Sequence, residues 1–205
     1  MDFFKLLLVD GLSYFHTVFG DWALAIIALA LGIRIFLLPL QIFSYVQQKR
    51  LRGIQPEIDR LTAELKADPL RAFKEIQTLK EKSGIKTWTA LILSFAQIPI
   101  FLGMYQAISS ARNLAGASFV WIPSLATPDA LYILPVLVAL TTYLQFKNNG
   151  VSGAGNPQSA AMMGKLLPVI SFIFMSALPS SLVLYYATSG IFQFATDAIL
   201  KNVTT

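Results

Sequence analysis

The apolar positions of this chain fall into runs long enough to cross a lipid bilayer. Five stretches, residues 22–43, 88–108, 131–146, 162–178 and 181–200, are predominantly apolar and nearly free of charge. Their lengths are close to the roughly 20 residues that a helix rising about 1.5 Å per residue needs to cross the hydrocarbon core. The first 20 residues follow a different pattern: Phe3, Phe4, Leu6, Leu7, Leu8, Tyr14, Phe15 and Phe19 are interrupted by Lys5, Asp10 and Gly11. That spacing of charge predicts an interfacial N-terminal helix over 1–20 rather than a further span. Lys5 ahead of LLLV has the look of a signal peptide, but no small-residue cleavage site follows in the expected place, so the segment is expected to be retained. Residues 21–205 then form the membrane core, and a hairpin over 45–84 is set within it.

That hairpin shows a helical period of its own. Pro56 suits a first helical turn, and Ile58, Leu61 and Leu65 recur at helical spacing until Ala67-Asp68-Pro69 breaks the run. Phe73, Ile76 and Leu79 mark a second amphipathic segment, which stops near Gly84. Together they predict an antiparallel helical hairpin with Arg60/Glu64 and Arg71/Glu75 at i,i+4 on its charged face. That face is either a plain solvated surface or a basic arm that touches anionic headgroups or an arriving ribosome.

Composition and charge then fix the class and the orientation. Apolar residues make up 55% of the 205 positions and charged ones only 13%, with a mean hydropathy of +0.61. These values exclude an ordinary soluble domain and predict an all-α membrane protein, a five-transmembrane-helix bundle with a cytoplasmic antiparallel helical hairpin. Basic residues crowd positions 49–86, whereas 109–130 carries only Arg112. The positive-inside rule therefore places the hairpin in the cytoplasm, the N-terminus outside and the C-terminus inside; Lys147, Lys165 and Lys201 agree. Trp22 and Trp121 fall on the outer side, where aromatic anchors are expected.

Against this background Arg34 stands out, a full charge inside WALAIIALALGIRIFLLPL (22–40). A guanidinium there costs on the order of 3 kcal/mol even on lenient insertion scales. It either faces protein or a water-filled cavity as a functional group, or snorkels to the nearer headgroups. Sparse polar residues in the other spans line up with the first reading: Ser94 and Gln97 in the second, Thr141 and Gln145 in the third. In the fifth, Tyr185, Thr188, Ser189, Phe192 and Thr196 form a stripe with Gln193 alongside. Interhelical hydrogen bonding is the alternative for each, but a charge together with polar walls is what a hydrated cavity requires.

Covalent chemistry finds no footing. The chain has no cysteine and a single histidine, His16, which lies among Tyr14, Phe15 and Phe19 where packing at the interface is expected. Thiolate metal sites and disulfides are excluded, one imidazole makes no metal site, and no cofactor is implied. No histidine or acidic residue sits in the middle of a span, and Asp197 lies near an end, so a nucleophile with a positioned base is missing and the chain does not read as an enzyme.

Several of these segments together resemble the YidC/Oxa/Alb family of membrane protein insertases: GDWALAIIALALGIRIFLLPL (20–40), IQPEI (54–58), FAQIPIFLGMYQAI (95–108), WIPSLATPDALYILPVL (121–137) and LPSSLVLYYATSGIFQ (178–193). The resemblance covers about Gly11 to Leu200. It implies a bacterial inner-membrane insertase and chaperone with a groove open to cytoplasm and lipid and closed outside. Arg34 is then similar to the family's groove arginine, Gln97 to the polar residue of the next span, and Tyr185 and Tyr186 to the tyrosine pair of the last. Nascent or newly made membrane proteins and the lipid bilayer are the implied partners. The ribosome and the Sec translocon are candidates beside them, with no direct nucleic-acid specificity. The chain departs from the family pattern at Lys86-Thr87-Trp88-Thr89 before the second span, at Ala30 one turn before Arg34, and at Pro179-Ser180-Ser181. Against longer members it is expected to lack a preceding transmembrane helix, a large periplasmic domain, a lipoprotein signal and a ribosome-binding tail. A small channel or transporter with an intramembrane arginine site is the alternative, although such folds favour internal repeats or interrupted helices that the sequence does not show.

Overall fold

The structure, a computed structural model, describes residues 2–110, 116–149 and 157–203. Arg112 lies outside them, as do the side chains of Trp88 and Ser94. The described residues form helices α1 (Asp2–Phe19), α2 (Trp22–Gly53), α3 (Gln55–Glu64), α4 (Pro69–Lys82), α5 (Thr87–Ser110), α6 (Ile133–Asn149), α7 (Pro157–Ser176) and α8 (Ser180–Val203). The one extended pairing among them is an isolated bridge between Phe119 and Ile122.

Helix α2 begins where Asp21 accepts a hydrogen bond from the Leu24 amide at 2.9 Å, an N-cap that satisfies one of the helix's free donors. The apolar run predicted its exit near residue 43, yet the helix continues ten residues further, to Gly53. No breaker interrupts SYVQQKRLRG until that glycine, and Ser44, Tyr45 and Gln47 are buried, so both propensity and packing extend it. The hairpin proper is therefore α3 and α4, the first residues of the expected 45–84 unit being the end of α2.

The hairpin boundaries follow from local chemistry. Pro56 sits in the first turn of α3, and Asp68 caps α4 by accepting from the Arg71 amide at 3.0 Å. Gly84 closes the unit at φ +66°, a conformation that side chains rarely adopt. Arg60 and Glu64 form the expected ion pair at 2.7 Å. Arg71 and Glu75 do not pair among the described residues: both stay solvent-exposed, and an exposed i,i+4 pair offers too little to hold two long side chains together. At the base of the hairpin, Gln47 accepts from the Lys86 amide at 3.1 Å and Arg50 donates to the Gly84 carbonyl at 3.3 Å.

Helix α8 is the centre of the bundle, packed between α2 and α6; α7 covers α6, and α1 lies on α2 and α5. The core is formed by Leu8 and Leu12 of α1, Ala23, Ile26 and Ala30 of α2, Met104 and Ala107 of α5, and Leu182, Val183 and Tyr185 of α8. His16 stacks on Trp22 with ring centroids 3.9 Å apart, as its aromatic neighbourhood predicts. At the start of α8 the loop 116–132 is tied down by backbone bonds: the Ser180 amide donates to Thr127 at 2.8 Å and the Ser181 amide to Leu125 at 3.0 Å. The Ser180 hydroxyl adds a second bond to Thr127, at 2.7 Å. Asp129, which is buried, accepts from the amides of Leu131 and Leu134 at 3.1 and 2.8 Å and so fixes the turn into α6.

Candidate polar site inside the bundle

Arg34 does not snorkel away from the bundle. It is half-buried, and its Nη1 donates to Gln193 Oε1 of α8 at 3.0 Å. By helical rise Arg34 lies about 18 Å from Trp22 and Gln193 about 20 Å from Ser180, so α2 and α8 meet near the middle of their apolar lengths. A hydrogen bond to a charged group contributes about 1.5–3 kcal/mol. That is comparable to the cost of about 2.5–3.5 kcal/mol for placing an arginine at the centre of a span. Gln193 thus offsets much of the penalty that Arg34 carries.

The Tyr185 and Tyr186 phenols lie close enough to interact electrostatically with the guanidinium. Tyr185 is fully buried and meets Tyr186 edge to face at 5.3 Å. The Tyr186 hydroxyl sits beside the Gln97 side chain of α5, and its ring lies 6.1 Å from Phe101, which in turn lies 6.2 Å from Phe174 of α7. One turn of α5 therefore separates a polar position, Gln97, from an aromatic layer on the side of the 116–132 loop. Ser189 is fully buried next to Tyr185 on the helix surface. Its hydroxyl lies beside that of Tyr185 without a well-formed hydrogen bond among the described residues, and Arg34 Nε and Gln41 Nε2 have no partner there either.

Four of the nine candidate residues, Gln97, Tyr185, Tyr186 and Ser189, gather around Arg34 in this way. Thr141 and Gln145 belong to a different contact, the seam between α6 and α8. Thr141 donates to its own helix at Val138 (3.0 Å), and Gln145 Nε2 donates to the Gly190 carbonyl at 3.3 Å. A Cβ at Gly190 would stand 2.6 Å from Thr141 Oγ1, so only glycine permits this approach. Thr188 is half-buried, about 100° round α8 from Ser189. Ser94 lies on α5, and its side chain is outside the described residues.

Two features were missed in the sequence. Gln193 was visible only as a neighbour of the α8 stripe, although its place two turns after Tyr185 was a usable signal. Gln41, Ser44 and Gln47 are all buried on α2; Gln41 lies inside the expected span and Ser44 and Gln47 beyond its exit, and together they lead from Arg34 toward the hairpin. A cavity of about 630 Å³ between α1, α2 and α5, lined by residues including Gly11, Gly32, Ile33 and Pro99, is apolar and contains none of the candidate residues.

Among the described residues one helix, α2, is long and apolar enough to cross a membrane, and the guanidinium it carries is hydrogen-bonded inside the bundle, which defines a helical bundle with an internal polar site. The sequence pattern of the family described as 60Kd inner membrane protein matches residues 14–205, and the chain belongs to that family, the YidC/Oxa/Alb group. It is 33% identical over 190 residues to Membrane protein insertase YidC of Aquifex aeolicus, covering 93% of this chain and 37% of that protein. It is 32% identical to Membrane protein insertase YidC 2 of Bacillus anthracis, covering 98% of this chain and 80% of that protein. A Francisella tularensis subsp. novicida relative of the same description is 30% identical, with 98% and 36% covered. The chain thus spans a little over a third of the Aquifex and Francisella proteins and most of the Bacillus one. Its fold is similar to the crystal structure of an active YidC insertase with the first transmembrane domain resolved, with TM-score 0.67, 21% identity, and 93% of this chain and 44% of that chain covered.

Proposed function

We propose that this protein is a membrane protein insertase and chaperone of the inner membrane that acts without covalent chemistry. In this reading, five helices, α2 and α5–α8, span the bilayer and α3–α4 form a cytoplasmic hairpin. The N-terminus lies outside, the C-terminus inside, and residues 1–20 lie in the outer interface. Arg34, Gln97, Tyr185, Tyr186, Ser189 and Gln193 form a hydrated, positively charged groove reached from the cytoplasm and from lipid. A substrate's polar outer segment leaves water partway within it, while its apolar helix partitions into lipid past the tyrosines. The barrier to crossing is shortened rather than removed.

The observation that carries the reading is the set of buried polar atoms on Arg34, Gln41 and Ser189 for which no described residue supplies a well-formed hydrogen bond. Each such atom costs about 1–3 kcal/mol unless water or a ligand meets it. A site that must release its cargo gains from a charge held by one neutral acceptor instead of a tight ion pair. Newly made membrane proteins and the bilayer are the partners, with the ribosome and the Sec translocon as further ones.

Reconstitution into proteoliposomes tests it: the protein should insert a short single-span substrate and should not conduct ions. Single cysteines sharpen the test, since the native chain has none. Gln97→Cys and Ser189→Cys should label with a membrane-impermeant maleimide from the hairpin side, and Phe101→Cys poorly from either side. Labelling of all three from both sides, together with ion flux, would mark a channel.

A further inference from the structure

Glutamine at position 193 matters because it is neutral. We infer that Gln193 is the positioning residue that holds the Arg34 guanidinium through Nη1 while leaving its charge uncompensated, so that preference for acidic substrate segments depends on a neutral residue at position 193. The inference rests on the insertase reading and deepens it.

Arginine has only donors, so the atom of Gln193 that it contacts must be the amide oxygen. That bond occupies Nη1 alone, at 3.0 Å. Nε is buried and has no partner among the described residues. Gln193 therefore supplies an acceptor to the guanidinium but no counter-charge. The backbone bearing Gln193 is itself fixed one turn away, where Gly190 packs on Thr141 and its carbonyl accepts from Gln145. A glutamate of nearly the same size at 193 would form an ion pair with Arg34 and cancel the charge. A leucine would fill the space but leave the guanidinium free to swing.

The test compares two single-span substrates in proteoliposomes, identical except that the outer segment carries aspartates in one and asparagines in the other. The readout is the ratio of acidic to neutral insertion. The native protein should favour the acidic substrate, and Arg34→Ala should abolish that preference. Gln193→Glu should lose it to the Arg34→Ala level, and Gln193→Leu should fall between the two. A residue that merely packs would alter yield or thermal stability and leave the ratio alone. A native ratio in Gln193→Glu, with Arg34→Ala still deficient, overturns the inference and leaves the insertase reading standing. If Gln193→Glu loses helical content, Gln193→Leu decides, and a native ratio there overturns it equally. An Arg34→Ala protein with the native preference removes the arginine's role, and the inference with it.

Discussion

Helix α8 passes through two different environments. At its start, Ser180 and Ser181 are fully buried and their amides, with the Ser180 hydroxyl, bond to carbonyls of the 116–132 loop; only the Ser181 hydroxyl lacks a partner among the described residues. Farther along the same helix, Ser189 is equally buried, its hydroxyl beside Tyr185 without a well-formed hydrogen bond among the described residues, and Gln193 shares its amide oxygen with a half-buried arginine. The first region closes its backbone polar groups onto one another, as a seal between water and a bundle must. In the proposed reading the second leaves hydrogen-bonding capacity open within the membrane, where polar groups are expensive and are retained where they serve a site. Substitutions in the loop end should thus read out as stability, and those around Arg34 as function.

Asp129 should show the largest effect on stability. Its carboxylate takes the Leu131 and Leu134 amides and the Trp121 indole N–H, and Asp129→Ala strands the buried Leu134 donor and removes two part-buried bonds that contribute about 0.5–1.5 kcal/mol each. An unsatisfied buried donor costs about 1–3 kcal/mol, so a loss of about 2–5 kcal/mol is expected in denaturant unfolding in detergent. Asp129→Asn, which retains one acceptor oxygen, should recover part of it. An Asp129→Ala protein as stable as the native one would mean that the loop is not a seal.

Gly190 lies between the two regions and should mix their readouts. A Cβ there meets Thr141 Oγ1 at 2.6 Å and Thr141 Cβ at 3.2 Å. Overpacking of this kind costs about 1–3 kcal/mol, so Gly190→Ala should destabilise by that amount and also displace Gln193, lowering insertion of acidic substrates. Adding Thr141→Ala removes the closest atom and should restore most of both losses. Independent, additive effects of the two substitutions would show that the seam does not position the site.

Much of this organisation was legible in the sequence, because it depends on local rules. Pro56, Asp68-Pro69 and Gly84 marked the hairpin through capping and turn chemistry, and Arg34 declared itself by its cost in an apolar run. Periodicity gave each helix a polar face but not the neighbour that the face meets. Thr141 and Gln145 therefore looked like groove residues, whereas they line the α6–α8 seam. The bond from Arg34 to Gln193 joins positions 159 apart, which no local pattern reports. Residues 45–53 were assigned to the hairpin because apolar character ends near 43, yet helix propensity does not end with it. Asp129 was hidden for a different reason: a buried carboxylate that holds two amides has the same sequence signature as an exposed loop aspartate.

The hairpin supplies the smallest expected effect and a control for both regions. Arg60 and Glu64 make a short ion pair at 2.7 Å, but their side chains are 75% and 53% exposed. Solvent screens such a pair, and ordering two long side chains opposes what attraction remains. Arg60→Ala should leave the unfolding midpoint and the acidic-to-neutral insertion ratio unchanged within error. Hydrogen exchange across 56–82 should be faster than in α8, because few buried side chains anchor α3 and α4, Ile58 and Ala72 being the buried ones. The slow amides should resume near residues 84–86, where Gln47 and Arg50 tie the hairpin to α2. Protection across 56–82 equal to that of α8 would mean that the hairpin is packed as firmly as the bundle, and the contrast between a sealed end and an open one would then have to include a third rigid unit.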